Sequence, residues 1–173
     1  MGKTHAVLGA NAAWLGLILQ PVTPYTILLI PIGALAGLLP DIDAEDATIH
    51  HLGGGALGVF RGGMHHRHFW HSLAAMTLVS IISIPFFYSW LPSAPIVIAG
   101  AFLLHILADS LTPSGVRIAW PHTKRIKLLP RPWAWRVNGS GDWFLFLVGS
   151  LSLILLVMVL FFISNGATIT ISL

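Results

Sequence analysis

The sequence has no cysteine among its 173 residues, which excludes disulfides and every thiolate metal site. A metal ion held by this chain would have to rest on imidazole and carboxylate. Charge is also scarce: Asp, Glu, Lys and Arg make up 9% of the residues, against about a quarter in an average soluble domain. A phosphate-binding glycine loop is missing too, since Gly2-Lys3-Thr4 lacks the upstream glycines of a Walker motif. The glycines at 53–55, 58, 62 and 63 form a connector with no phosphate-binding pattern. What is abundant is apolar surface. With 55% hydrophobic residues and a mean hydropathy of +0.83, the chain is not composed for solution in water.

Residues 73–90, 94–111 and 143–164 are apolar stretches with few or no charges. They approach or exceed the length that a hydrocarbon core about 30 Å thick asks of a helix, about 20 residues. A fourth region, residues 6–39, is interrupted by Gln20-Pro21-Val22-Thr23-Pro24, so it reads as two shorter helices joined by a tight turn. Segments that short also suit re-entrant or buried helices. Lys3 ahead of an apolar run resembles a secretory signal, but more membrane-like sequence follows, so the segment is expected to stay in the fold. The expected fold is all-α: one integral membrane domain over residues 1–173, with four to five transmembrane helices at about 6–19, 25–39, 72–90, 95–112 and 143–164.

The basic residues orient this bundle. Lys3, Arg61, Arg67, Arg117, Lys124, Arg125, Lys127, Arg131 and Arg136 all fall at the N-terminus or in the loops 40–71 and 113–142. The opposite segments, 20–25, 91–94 and 165–173, carry no charged side chain. The positive-inside rule therefore predicts a multi-pass protein of the cytoplasmic membrane, with the N-terminus and the large loops cytoplasmic. All six acids (Asp41, Asp43, Glu45, Asp46, Asp109, Asp142) and all nine histidines lie on that same side or at its helix ends. Topology alone asks for no such thing.

The most informative pair is His105 and Asp109, set in the apolar run Phe102-Leu103-Leu104-His105-Ile106-Leu107-Ala108-Asp109. A spacing of four puts both side chains on one helix face, and ionisable groups inside a span are costly enough to imply function. Taken alone, the pair is as well explained by a buried hydrogen bond that staples the bundle. Other residues shift that balance. Leu39-Pro40-Asp41-Ile42-Asp43 places two carboxylates at the mouth of a helix, where they suit a divalent cation or, more blandly, form a solvated acidic loop. Four histidines occur in His65-His66-Arg67-His68-Phe69-Trp70-His71, and imidazole is the commonest nitrogen ligand. Of the histidines, His50, His51, His65, His68 and His122 read as loop residues. His5 enters the first helix and Asp142 opens the last, where an acid is also expected for helix-dipole reasons.

Six basic residues lie between residues 116 and 137 together with Trp120, Trp133 and Trp135. Membrane lipids explain such a segment, since cations sit by anionic headgroups and indoles by the interface. Nucleic acid is not the expected partner.

In this order and spacing, Thr4-His5, Leu39-Pro40-Asp41-Ile42-Asp43, His66-Arg67 with His71-Ser72, and His105 to Asp109 running into Leu111-Thr112-Pro113-Ser114-Gly115-Val116 resemble the YdjM-like inner-membrane proteins. That family is classed as membrane-bound metal-dependent hydrolases, and the resemblance covers most of the chain. Departures are His68 and Trp70, where the family usually has Gly and Thr, and Asp142, where it has Glu. More distantly, the His-x-x-x-Asp pair is similar to that of zinc-dependent phospholipase C, which implies phosphoester chemistry by analogy only.

Together these point to a metal-dependent hydrolase, zinc being the preferred ion, with His5, Asp41, His66, His71, His105 and Asp109 as expected ligands. Asp43 and Asp142 are expected to complete the shell or act as general base, and Arg67 to stabilise charge on a phosphoryl oxygen. A phosphoester or lipid-linked substrate at the inner membrane face is expected from location. The competing readings are a metal-binding transporter or sensor, and a non-catalytic scaffold. The first wants a polar path to the far side, where the helices offer mostly Ser, Thr and Gly.

Overall fold

A computed structural model of the chain describes residues 1–44, 48–49 and 69–165. Within them every regular element is helical, apart from an isolated antiparallel bridge between Val116 and Ile126. α1 (Gly2–Asn11) meets α2 (Ala13–Leu19) at a break at Ala12, after which Gln20 turns extended ahead of Pro21. Proline disfavours helical conformation in the residue before it, so the rod stops there. A 3-10 helix, Pro24–Leu28, leads into α3 (Leu29–Ala36) and is opened by a capping box in which the Thr23 N–H donates to Thr26 Oγ1 at 2.8 Å. A second 3-10 helix, Leu39–Asp43, follows.

α4 (Leu73–Phe87) starts at Ser72, whose hydroxyl accepts from the Ala75 N–H at 3.3 Å. α5 (Ala94–Ser110) carries Pro95 in its first turn, where a missing N–H is harmless. α6 (Ser140–Ser164) follows Asn138, which holds the left-handed φ of 57° that asparagine tolerates.

The rods alternate in direction. At one end the Gln20 side-chain oxygen accepts from the Ser93 N–H at 3.0 Å, and Tyr25 meets Trp90 edge-on. At the other end the Thr4 hydroxyl donates to Asp142 at 2.5 Å, joining the starts of α1 and α6. There too the Leu73 N–H donates to the Ile118 carbonyl and the Trp135 N–H to the Leu111 carbonyl, each at 3.0 Å. α5 runs through the centre, with Val97, Ala101, Phe102 and Ile106 fully buried against neighbours that include Leu29 of α3 and Leu156 of α6.

α1 and α3 approach each other through glycine. A Cβ on Gly9 would sit 2.8 Å from Gly37 Cα and collide with the Gly33 carbonyl oxygen. Gly33 and Gly37, spaced by four, form the small-residue stripe that lets two helix backbones touch in an apolar medium.

The all-helical expectation holds among the described residues. Two helical runs, Pro24–Asp43 with 20 residues and Ser140–Ser164 with 25, are long and apolar enough to cross a membrane by length and composition. α4 and α5 have 15 and 17 residues. The first rod begins at Gly2 instead of near residue 6 and is divided at Ala12; α4 ends two residues after its internal Pro85. Most of α6 faces outward: Phe144, Leu147, Leu151, Ile154 and Phe161 are each more than half exposed.

Candidate metal centre

The end where α1, α4 and α6 begin and α3 and α5 finish gathers five side chains from four separate stretches of chain. His5 lies on α1, one turn before the Gly9 crossing that brings α1 against α3. Asp41 sits in the 3-10 helix behind α3. His71 precedes the cap of α4, in a turn closed by the Ser72 hydroxyl donating to the Phe69 carbonyl at 2.5 Å. His105 and Asp109 come from the last two turns of α5.

Their donor atoms converge. His5 Nε2 lies 3.3 Å from Asp109 Oδ1, and His71 Nε2 lies 3.4 Å from Asp41 Oδ1 and 3.5 Å from Asp109 Oδ2. His105 Nε2 is 3.3 Å from His71 Nε2, 3.8 Å from Asp41 Oδ1 and 4.0 Å from Asp109 Oδ2. The rings of His5 and His105 stack with centroids 3.8 Å apart. Two triads result, His5 with Asp41 and His105, and His71 with His105 and Asp109, each with its atoms within 4.8 Å of one another.

Three observations bear on whether a cation fits. Donors about 2.0–2.1 Å from a tetrahedral zinc are about 3.3–3.4 Å from each other, which is the spacing of the shorter contacts above. Next, His105 Nδ1 is 2.7 Å from the Gly37 carbonyl. A carbonyl can only accept, so Nδ1 carries the proton and the Nε2 lone pair faces the cluster, as in metal-ligating histidines. Finally, the cluster gathers two carboxylates in a largely buried place, where negative charge left uncompensated costs several kcal/mol per ion. One divalent cation balances it. The donor set is therefore one that could hold a divalent ion.

Without a cation, a proton does part of that work. Burial lowers the His71 pKa, but its hydrogen bonds to Asp109 and Asp41 and their negative charge outweigh burial and raise it to about 9. Asp41 alone among the five has appreciable side-chain exposure, 22%, so it marks the side on which the cluster meets its surroundings.

The remaining expected residues fare differently. Asp43 is buried and belongs to neither triad. Asp142 accepts from Thr4 Oγ1 at 2.5 Å and from the Asn138 N–H at 3.0 Å, so it joins α1 to α6 and does not face the imidazoles. A cleft of about 350 Å³ lies beside Thr4 and Asp142, and none of the five donors lines it. His122 is exposed in the loop after α5. His66 and Arg67, with His50, His51, His65 and His68, lie outside the described residues. The Gly37 carbonyl and Thr4 act here without having been picked out for these roles. The stripe at Gly33 and Gly37 was a usable signal for the helix crossing; nothing in a sequence singles out one carbonyl.

Comparison with known proteins gives a consistent family. The chain matches the family model described as YdjM inner membrane protein over residues 1–170. It is 33% identical to the inner membrane protein YdjM of Escherichia coli (strain K12) over 107 residues, 58% of this chain and 53% of that one. The inner membrane protein YdjM of Shigella flexneri matches with the same identity and coverage. The chain thus aligns with about half the length of the curated relatives it matches. No solved structure matches it.

Proposed function

The chain belongs to the YdjM inner membrane protein family, and from that premise we propose that it is a multi-pass, metal-dependent hydrolase whose site lies at the cytoplasmic end of its helices. The observation that carries this is the convergence of His5, His71, His105, Asp41 and Asp109 from four stretches of chain. Orientation follows from the basic residues at 3, 117, 124, 125, 127, 131 and 136, which share the cluster's side in an alternating bundle.

When bound, a divalent cation would supply Lewis acidity that brings the pKa of water down to about 7. The protein's part is placement. The Gly37 carbonyl fixes the His105 ring, and Asp109 lies within reach of both His5 and His71. Asp41, on the more open side, is the donor nearest to where a substrate would approach. Asp142 acts through Thr4, holding the start of α1 and hence the neighbouring His5. A phosphoester of a lipid or another amphiphile suits a site at this depth.

A non-catalytic reading has one observation in its favour: a protonated His71 can bridge Asp41 and Asp109 with no ion present. Activity separates the two. Chromogenic phosphodiesters and phosphomonoesters should be hydrolysed by metal-loaded protein, spared after chelation and hydrolysed again once metal is restored, and His105→Ala should be inactive. Turnover that survives both chelation and His105→Ala would place the chemistry elsewhere. Orientation has its own check, because the chain lacks cysteine: Ser114→Cys should react with an impermeant thiol reagent only from the cytoplasmic side.

A further inference from the structure

We propose that the segment joining α5 to α6, residues 112–139, is a docking surface for anionic lipid headgroups, lying flat across the helix ends instead of projecting into water. Membership of an inner membrane protein family is its only premise; no metal and no catalysis are needed.

Backbone hydrogen bonds hold the segment down. The Leu128 N–H donates to the Ser110 carbonyl at 2.9 Å and the Trp135 N–H to the Leu111 carbonyl at 3.0 Å, while the Ile118 carbonyl accepts from Leu73 at the start of α4. Trp120 packs edge-on against Phe69, with ring centroids 5.3 Å apart, and Trp135 against Phe144 near the start of α6. So pinned, the segment exposes an alternation of cations and large apolar groups. Lys124, Arg125, Lys127 and Arg136 are exposed, as are Trp120, Leu128 and Trp133, the last at 73%.

Charge complementarity selects the occupant. Between Asp109 and Asp142 the sequence has no acid and six bases. Among the described residues no carboxylate pairs with Lys124, Arg125, Lys127 or Arg136; Arg125 reaches only the Ser114 carbonyl, at 3.1 Å. An aqueous loop would hold neither three indoles nor four such exposed cations at the level of helix ends, whereas the headgroup layer favours both. The surface continues into Trp143 and Phe144, exposed at 62% and 59% on the outward face of α6.

The test uses the full chain in nanodiscs of phosphatidylcholine, alone or mixed equally with phosphatidylglycerol. The unfolding temperature should be higher in the mixture by about 5 °C, and Lys124→Gln with Arg125→Gln and Lys127→Gln together should remove at least half of that gain. An equal gain in the triple variant, or no gain in the native chain, overturns the proposal. Should the variant not fold in phosphatidylcholine, the native chain decides: in about 1 M salt, where screening acts within about 3 Å, the gain should vanish, and its persistence would overturn the proposal. Duplex DNA that stabilises the protein in phosphatidylcholine as much as phosphatidylglycerol does would also overturn it, in favour of a nucleic-acid surface.

Discussion

α5 and α6 are both apolar helices, and by length α6 is the better membrane span, with 25 residues against 17. Their surroundings are opposite. α5 buries Val97, Ala101, Phe102, His105, Ile106 and Asp109, whereas α6 buries chiefly Asp142, Gly149, Leu156 and Leu160 and turns Leu151, Ile154 and Phe161 outward. The ionisable pair sits on the buried face of the more enclosed helix. α6 holds its one carboxylate, Asp142, at its start, where Thr4 and the Asn138 N–H meet it, while α5 can meet Asp109 with imidazoles from its neighbours. Hydropathy ranks helices as spans; enclosure decides which of them can hold chemistry.

The largest test of this contrast is Asp109→Ala. Removing one partner from a buried charged cluster costs about 3–5 kcal/mol, and Asp109 lies near both His5 and His71. Loss of metal and a large fall in thermal stability of the metal-loaded protein are expected, measurable together by elemental analysis and a melting curve. Gly33→Val should come next, since its side chain would meet the backbone of Gly9. Overpacking of that kind costs about 1–3 kcal/mol, and by prying α1 from α3 it should weaken metal binding although residue 33 touches no ligand. Normal affinity with a lowered melting temperature would show that the crossing does not position His5.

A pH titration sharpens the same point. The His71 pKa is raised from 6.5 to about 9, so its proton contributes stability that is complete below about pH 6.5 and lost as pH rises through about 9. Metal-free protein should therefore lose stability over that window, while its metal affinity rises because the proton no longer competes. Parallel stability curves with and without metal would contradict this. The smallest effect belongs to α6: Leu151→Ala, at a position 60% exposed, should change stability by less than about 0.5 kcal/mol and leave metal content unchanged.

Much of this contrast was legible in the sequence. The spacing of four between His105 and Asp109 needs only helical periodicity, and the sidedness of charge needs only counting. The all-helical character followed from the apolar runs. The break at Ala12 was not readable, because alanine favours helix and nothing local interrupts it. Asp142 was readable as a helix-opening acid, but its partner Thr4 lies 138 positions away, and only tertiary packing brings the two together. The spacing and setting of His105 mark it as a ligand, while the carbonyl of Gly37 that fixes its tautomer looks like any other carbonyl in the sequence. Enclosure was hardest: α5 and α6 are both apolar, and which one is more enclosed depends on how the others wrap around it.

The most direct test is the metal content of the purified chain after exposure to excess zinc and removal of free ion. One or more tightly held ions per chain, lost in His105→Ala and retained in Leu151→Ala, is the predicted result. Native protein that is folded by its melting curve yet retains no ion in stoichiometric amount would contradict the metal centre.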